Sequence, residues 1–404
     1  MDDAVLSGLA FQVAEAGLAG ESETSLFTGF CARAVAAGVP LARATVGIDT
    51  LHPIYEGVFR TWQRTSGETT SAVYGQPDDR QSATLLWQGS SFYHLLQTGE
   101  SLLRRRPPAA NEQEFNILPE LRTMGMTDYV AIVNRISGDR VIGEMDCVYS
   151  SWATDLASGF TEADVAALRQ LAPHLAVVIK AASLARIAGT LVETYLGRDA
   201  GRKVLGGRIV RGVADRIDAV LWFSDLRGFT HLADSAAPDQ VIPLLNDYAD
   251  VIVSAIHGSA GDVLKFMGDG VLAIFTAPDR ARACSAALAA EGSARRGLAA
   301  LNARRSADGL PVTDMYLGLG VGEVFYGNVG SQERLDFTVI GPAVNEVSRI
   351  ADMCGSIDQP TLISAAFAAA AHADRERFVS VGRYALRGVR RPQELFTLDP
   401  GLPQ

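Results

Sequence analysis

Apolar and polar positions follow two different rhythms along the chain. In residues 1–38 the apolar positions Leu6, Leu9, Phe11 and Val13, and then Leu26, Phe27 and Phe30, read as helical. Gly38 and Pro40 supply turn chemistry, and apolar runs at 42–48 and 57–63 predict strands. Residues 76–81 (QPDDRQ) and 105–112 (RRPPAANE) read as loops, and strand-like runs return at 129–135 and 144–150. A long helical pattern follows from 161. Thr161 is placed to cap it, Asp164 three residues on completes a capping box, and Pro173 is a candidate bend.

Between 181 and 206, Leu184, Ile187 and Leu191 repeat at a three–four spacing. That fits one seam of a coiled coil or a single packed helix. Gly197, Gly201 and the pair Gly206–Gly207 then interrupt the pattern. Beyond 216, strands at 218–223, 262–267, 271–275 and 314–321 alternate with helices at 238–257 and 279–303, an α/β or α+β pattern. The organisation expected is therefore an N-terminal domain at 1–180, a helical linker at 181–215 and a second domain at 216–404. The helix–strands–helix order of the first domain resembles a GAF-type sensory domain, which implies an α+β regulatory unit with an unknown small-molecule ligand or partner. An unclassified α+β regulatory module is the alternative.

Composition adjusts this picture little. The 404 residues are 48% hydrophobic, enough for two cores at ~100–200 residues per domain. A net charge of −10 with no long run of one sign argues against general nucleic-acid binding, which needs a basic face. Cys31, Cys147, Cys284 and Cys354 are widely spaced, which argues against a zinc site or disulfide framework and fits reduced thiols in a cytosolic protein. The acidic start differs from the basic start of a signal peptide. Lys180 and Arg186 interrupt the apolar stretch at 171–192, so no membrane span is expected.

Three segments carry candidate chemistry. In DAVLWFSDLRGFTHLAD, Ala219–Phe223 reads as a buried strand, Asp225 falls at its end, and Gly228–Phe229–Thr230 turns into a helix. A carboxylate there suits a metal–phosphate site, although by itself it is an ordinary cap or turn residue. In GDVLKFMGDGVLAIF, two apolar strands flank Gly268–Asp269–Gly270, which reads as a hairpin. Lys265 lies between Leu264 and Phe266, where a lysine has either solvent or a specific partner. In YLGLGVGEVFYGNVGSQERLDFTVIGPAVNEVSRI, Gly318, Gly320 and Gly322 sit inside a strand with the wrong spacing for a dinucleotide fingerprint, and that reading is rejected. Asn345 and Arg349 are four apart in a probable helix and share a face, where surface pairing with Glu346 or a nearby acid is the plain alternative.

Taken together, F-S-D-L-R-G-F-T, then K-F-x-G-D-G, then G-N-x-G-S-x-x-R-x-D-F-T-V-I-G-x-x-V-N-x-x-S-R closely resemble the class III nucleotide cyclase domain in order and spacing. The resemblance implies a ferredoxin-like α+β catalytic domain. It implies that Asp225 and Asp269, with the carbonyl of Leu226, bind two divalent cations, Mg²⁺ or Mn²⁺. It assigns purine reading to Lys265 and Thr338, ribose positioning to Asn345 and stabilisation of α-phosphate charge to Arg349. Phe229 and Thr230 fall at the substrate, and Arg387, Arg390 and Arg391 near the triphosphate-binding loop, Arg387 being the one chosen. It also implies a head-to-tail homodimer, with metals from one protomer and the purine and transition-state residues from the other.

The purine readers favour ATP. The ammonium of Lys265 is donor-only and suits adenine N1, while the Thr338 hydroxyl can accept from N6. Guanine would present N1–H to the lysine, and an unpaired buried donor costs ~1–3 kcal/mol. Thr338 discriminates less, because a hydroxyl can also donate to guanine O6. The expected activity is conversion of ATP to 3′,5′-cyclic AMP and pyrophosphate in the cytoplasm, regulated by the N-terminal domain. A guanylate or relaxed purine cyclase and a silent cyclase-like module are the alternatives. Lys265 speaks against the first, and the presence of Asp225, Asp269, Asn345 and Arg349 against the second.

Overall fold

The computed structural model describes every residue except 1, 76–79, 108–113, 137–141, 144, 390, 400 and 402–404. It divides into two compact units, Met1–Leu191 and Val192–Gln404.

In the first unit, helices α1 (Asp3–Leu18) and α2 (Glu23–Ala36) precede strands β1 (Arg43–Asp49), β2 (Gly57–Gln63) and β3 (Thr69–Tyr74). Helices α3 (Arg80–Gln88) and α4 (Ser91–Thr98), strand β4 (Leu102–Arg105), helix α5 (Ile117–Thr123) and strands β5 (Asp128–Arg135) and β6 (Cys147–Thr154) follow. The expected loops at 76–81 and 105–112 fall largely outside the described residues, although Arg80 and Gln81 already belong to α3. The strands form one antiparallel sheet in the order β3-β2-β1-β6-β5-β4. Successive strand residues point to opposite faces, and both faces are used. Ala44, Val46, Ile48 and Trp152 pack with α1 and α2, while Tyr149 and Ala153 join Phe92, Leu95 and Leu121 on the other side.

Helix α6 (Glu162–Leu196) closes the first face and runs through Pro173 without interruption. Its start is the expected capping box: the Asp164 N–H donates to the Thr161 hydroxyl (3.1 Å) and the Thr161 N–H to the Asp164 carboxylate (2.8 Å). Ile187 is buried in the core of the first unit, and Leu184 and Leu191 are partly buried against it, so the three–four seam packs on the unit's own sheet-and-helix core. Helix α6 is long and apolar enough to cross a membrane by length and composition. Its stripe Leu168, Leu171, Leu175 and Ile179 is nevertheless buried in protein, and Arg186 pairs with Glu23.

The second unit opens with α7 (Arg198–Leu205) and β7 (Ala214–Leu226). Then come α8 (Phe229–Ser235), α9 (Pro238–Gly258), β8 (Asp262–Met267), β9 (Gly270–Phe275) and α10 (Arg280–Ala307). The chain ends with β10 (Met315–Gly330), β11 (Leu335–Ile340), α11 (Pro342–Ile357), β12 (Thr361–Ser364), α12 (Ala365–Ala370), β13 (Phe378–Tyr384) and β14 (Gln393–Leu398). The eight-stranded sheet runs β13-β14-β12-β10-β7-β9-β8, with β11 paired to β10. Its axis is the long antiparallel ladder of β7 and β10, which sets Asp225 opposite Tyr316.

Strand β7 explains why the sheet is covered on both sides. Val220 and Trp222 enter the core shared with α9 and α10, while Ala219, Leu221 and Phe223 enter the core that receives Val347 and Ala351 of α11. An apolar run without alternation is what two buried faces require. The stripe Gly318, Gly320 and Gly322 points at α11. A Cβ on Gly318 would lie 2.6 Å from the Val347 carbonyl oxygen, and one on Gly322 2.7 Å from the Ala343 Cβ. The missing side chains let α11 lie against β10.

Candidate active site

Asp225 and Asp269 come together from different strands. Asp225 is the penultimate residue of β7, where the apolar run that buries the strand ends. Asp269 stands in the turn between β8 and β9, where Met267 pairs with Gly270 and leaves Gly268–Asp269 as a two-residue connection. Gly268 has φ +69°, the positive value that a tight hairpin turn needs at its first position. The turn is therefore Gly268–Asp269, with Gly270 already in the ladder.

The Leu226 N–H lies 3.1 Å from an Asp225 carboxylate oxygen and 3.2 Å from one of Asp269, so one donor serves both acids. Burial, and then the adjoining Asp269 carboxylate, push the Asp225 carboxyl up to about 7, with a smaller contribution from Asp352. No third Asp, Glu, His or Cys completes a metal cluster among the described residues. Asp269 borders a recess of ≈ 190 Å³ whose lining also includes Leu226, Asn246, Tyr248 and Phe266. Phe229 and Thr230 begin α8 just beyond; Phe229 packs partly into the core and Thr230 is exposed.

A second cluster forms between β8 and β11. The Lys265 ammonium is ion-paired with the Asp336 carboxylate. Thr338 lies two residues along β11 from Asp336, on the same strand face, and opposite Gly327 of β10. It is buried, and its hydroxyl oxygen has no hydrogen-bond partner among the described residues. A buried hydroxyl without a partner is uncommon in a folded chain, and it leaves Thr338 free to accept or donate a hydrogen bond.

Asn345 and Arg349 stand on the exposed face of α11, while Val347, Ile350 and Cys354 on its other face are buried. Arg349 pairs with Asp352 at 2.9 Å, so the nearby acid of the plain surface-pairing alternative is Asp352 rather than Glu346. No hydrogen bond or ion pair joins Asn345 or Arg349 to Asp225 or Asp269 among the described residues. Arg387 is exposed in the segment between β13 and β14, Arg391 is exposed nearby, and Arg390 lies outside the described residues.

The structure thus brings together Asp225, Leu226 and Asp269, and separately ties Lys265, through Asp336, to the strand that carries Thr338. Asp336 was missed. Its signal was available: in LDFT the acid is two positions before Thr338, hence on the same strand face, in a segment that already carried a candidate reader. Asp352 was missed too, although it stands three residues after Arg349, within reach on a helix.

Residues 213–400 match the model of a family described as the adenylate and guanylate cyclase catalytic domain. Adenylate cyclase 1 of Rhizobium meliloti is 29% identical over 244 residues, covering 58% of this chain and 36% of that protein. An uncharacterised protein of Mycobacterium tuberculosis is 36% identical over 210 residues, covering 50% of this chain and 37% of its own. The chain thus matches little more than a third of the length of these relatives. Among solved structures, the adenylyl cyclase CyaB from P. aeruginosa is 25% identical, covering 47% of this chain and 97% of that one, with a TM-score of 0.43. The guanylyl cyclase Cya2 is 28% identical, covering 46% and 96%, with a TM-score of 0.40.

Proposed function

Residues 213–400 are a cyclase catalytic domain of the adenylate and guanylate cyclase family, and from that premise we propose that the protein converts ATP to 3′,5′-cyclic AMP and pyrophosphate. The choice of ATP is carried by one observation: Lys265 is ion-paired with Asp336, which shares a face of β11 with Thr338, whose buried hydroxyl has no hydrogen-bond partner among the described residues. A donor-only ammonium satisfies adenine N1, and the hydroxyl accepts from the N6 amino group. Guanine N1–H would meet the ammonium donor to donor.

The acidic pair suits divalent cations. Two carboxylates that share one N–H repel each other, as the upward push on Asp225 reflects, and a cation with oxygen preference removes that cost. Asp225, Asp269 and the Leu226 carbonyl would hold two of them, either Mg²⁺ or Mn²⁺. When bound, such cations lower the pKa of the ribose 3′-hydroxyl and neutralise triphosphate charge.

The rest of the reaction falls to the chain's own groups. The 3′-oxygen attacks the α-phosphorus in line, and pyrophosphate leaves. Asn345 orients the ribose, and the Arg349 guanidinium stabilises charge gathering on the α-phosphate oxygens. Arg387 supplies a cation to the triphosphate, and Phe229 and Thr230 border it. Asn345 and Arg349 project from an exposed helix face, so we read the site as shared. In that reading a homodimer sets the acids of one protomer against the readers and Arg349 of the other. The first unit is read as a GAF-like regulatory module, acting on the dimer through the segment around α6 and α7. The cytoplasm, where ATP is available, is the place for such a chain.

The deciding experiment is incubation of the purified protein with ATP and, separately, GTP in the presence of Mn²⁺, with the cyclic product identified by mass. Cyclic AMP formed from ATP, and lost in Asp269→Ala, is the expected result. Cyclic GMP as the main product overturns the adenylate reading, and activity retained in Asp269→Ala overturns the acidic pair.

A further inference from the structure

Lys265 is tied to an acid. Its ammonium forms an ion pair with Asp336, which joins two strands that share no ladder, since β8 pairs β9 and β11 pairs β10. The two side chains are about one third and one half exposed, at 32% and 52%. A pair so exposed contributes only ~0–1 kcal/mol to stability, so folding alone does not account for it. Its position does point to a role: Asp336 and Thr338 share one face of β11, and the Thr338 hydroxyl is buried with no hydrogen-bond partner among the described residues.

We propose that Asp336 is a positioning residue for purine selection, holding the Lys265 ammonium on the Thr338 face of β11 so that both readers meet one base. This rests on Lys265 as the purine reader. The physical case is entropic. A lysine ammonium is a point charge on a flexible four-carbon stem, and without an anchor much of its binding energy is lost in ordering that stem. Anchored to Asp336, it still has donors to spare: one hydrogen is engaged, and the remaining two are available to adenine N1 and to water. The carboxylate therefore selects the direction in which lysine donates.

The test is a double-mutant cycle on the full-length protein, using Asp336→Asn, Lys265→Ala and both together. For each, kcat and KM are measured with ATP and with GTP. Asp336→Asn alone should raise KM for ATP about tenfold, the size of one lost charge-assisted contact. It should change kcat little, lower the ATP-to-GTP preference by a similar factor and leave the melting temperature unchanged. Asp336→Glu should recover part of the preference. In the Lys265→Ala background, Asp336→Asn should have no further effect. Equal effects in both backgrounds, or an unchanged preference in Asp336→Asn, overturn the proposal. If the wild type prefers GTP or turns over neither nucleotide, the adenylate reading falls by itself. The same cycle is then read as displacement of a fluorescent ATP analogue, where coupling of the two sites supports the proposal and independence overturns it.

Discussion

Asp225 and Asp269, forty-odd residues apart in sequence, accept hydrogen bonds from the same backbone N–H, that of Leu226, at 3.1 and 3.2 Å. One donor shared by two acids leaves the pair under-compensated.

That shortage has a pH signature. Asp225 titrates near 7 in the fold against an ordinary 3.8. Between those values the folded chain holds a proton that the unfolded chain has released. The penalty is therefore absent below about pH 4, grows through this window and is complete above about pH 7. Asp225→Asn removes it. In metal-free buffer the variant should melt at the same temperature as wild type at low pH and several degrees higher at pH 8. Adding Mg²⁺ should raise the wild type more than the variant. A melting difference that does not change with pH would contradict the assignment.

The proposed sharing of the site predicts complementation. Asp225→Ala and Arg349→Ala chains should each be inactive, and their mixture should recover up to a quarter of wild-type activity, on the estimate that half the dimers are mixed and hold one whole site. Cyclic AMP production by co-refolded chains, with heterodimers verified by mass, checks it. Heterodimers without activity would rule the arrangement out.

Gly318→Ala tests the packing of α11. The added methyl would lie 2.6 Å from the Val347 carbonyl oxygen and 2.8 Å from the Ala351 nitrogen. Backbone on that side cannot rotate away, so the helix must shift and carry Asn345 and Arg349 with it. A displacement of ~1 Å can cost ~10²-fold in rate. The expectation is a fall in kcat of about that size, with a stability loss of ~1–3 kcal/mol from overpacking. Gly8→Ala, where nothing lies within 4 Å, is the control.

In the first unit the buried Glu23 carboxylate receives Arg60 and Arg186, while Arg186 also reaches the hydroxyls of Thr50 (3.2 Å) and Ser183 (3.1 Å). Burial, together with the Arg186 charge, lowers the Arg60 pKa to about 10. Glu23→Ala would leave two guanidinium groups facing each other without the acid between them. Loss of one partner from a buried pair costs ~3–5 kcal/mol. Urea unfolding should show that loss for Glu23→Ala and a smaller one for Arg186→Met, whose side chain is 29% exposed.

Legibility in the sequence followed local information. The helix start at Thr161, the strands at 57–63 and 129–135 and the hairpin around Gly268 are set by contacts between near neighbours, and the structure has them. The short strands β3, β4 and β12 were among those not read, as were β11, β13 and β14. Strand β3 (Thr69–Tyr74) is mostly exposed and lacks an apolar rhythm, and β4 and β12 span only 4 residues each. Such strands exist because a neighbouring strand offers them a ladder, and periodicity carries no trace of that.

By itself, the sequence carried the resemblance of residues 216–404 to a cyclase catalytic domain, because three motifs keep their order and spacing along one chain, and the family match covers residues 213–400. Only the tertiary structure decided which side chains meet. It set Asp225 beside Asp269 across a shared amide, paired Lys265 with Asp336, and left the Thr338 hydroxyl buried with no hydrogen-bond partner among the described residues. Those relations depend on ladder register and on which strands the fold sets side by side, as the closeness of α11 depends on the glycines of β10. Both are fixed by packing between segments distant in sequence, where residue type limits the contacts available but does not select among them.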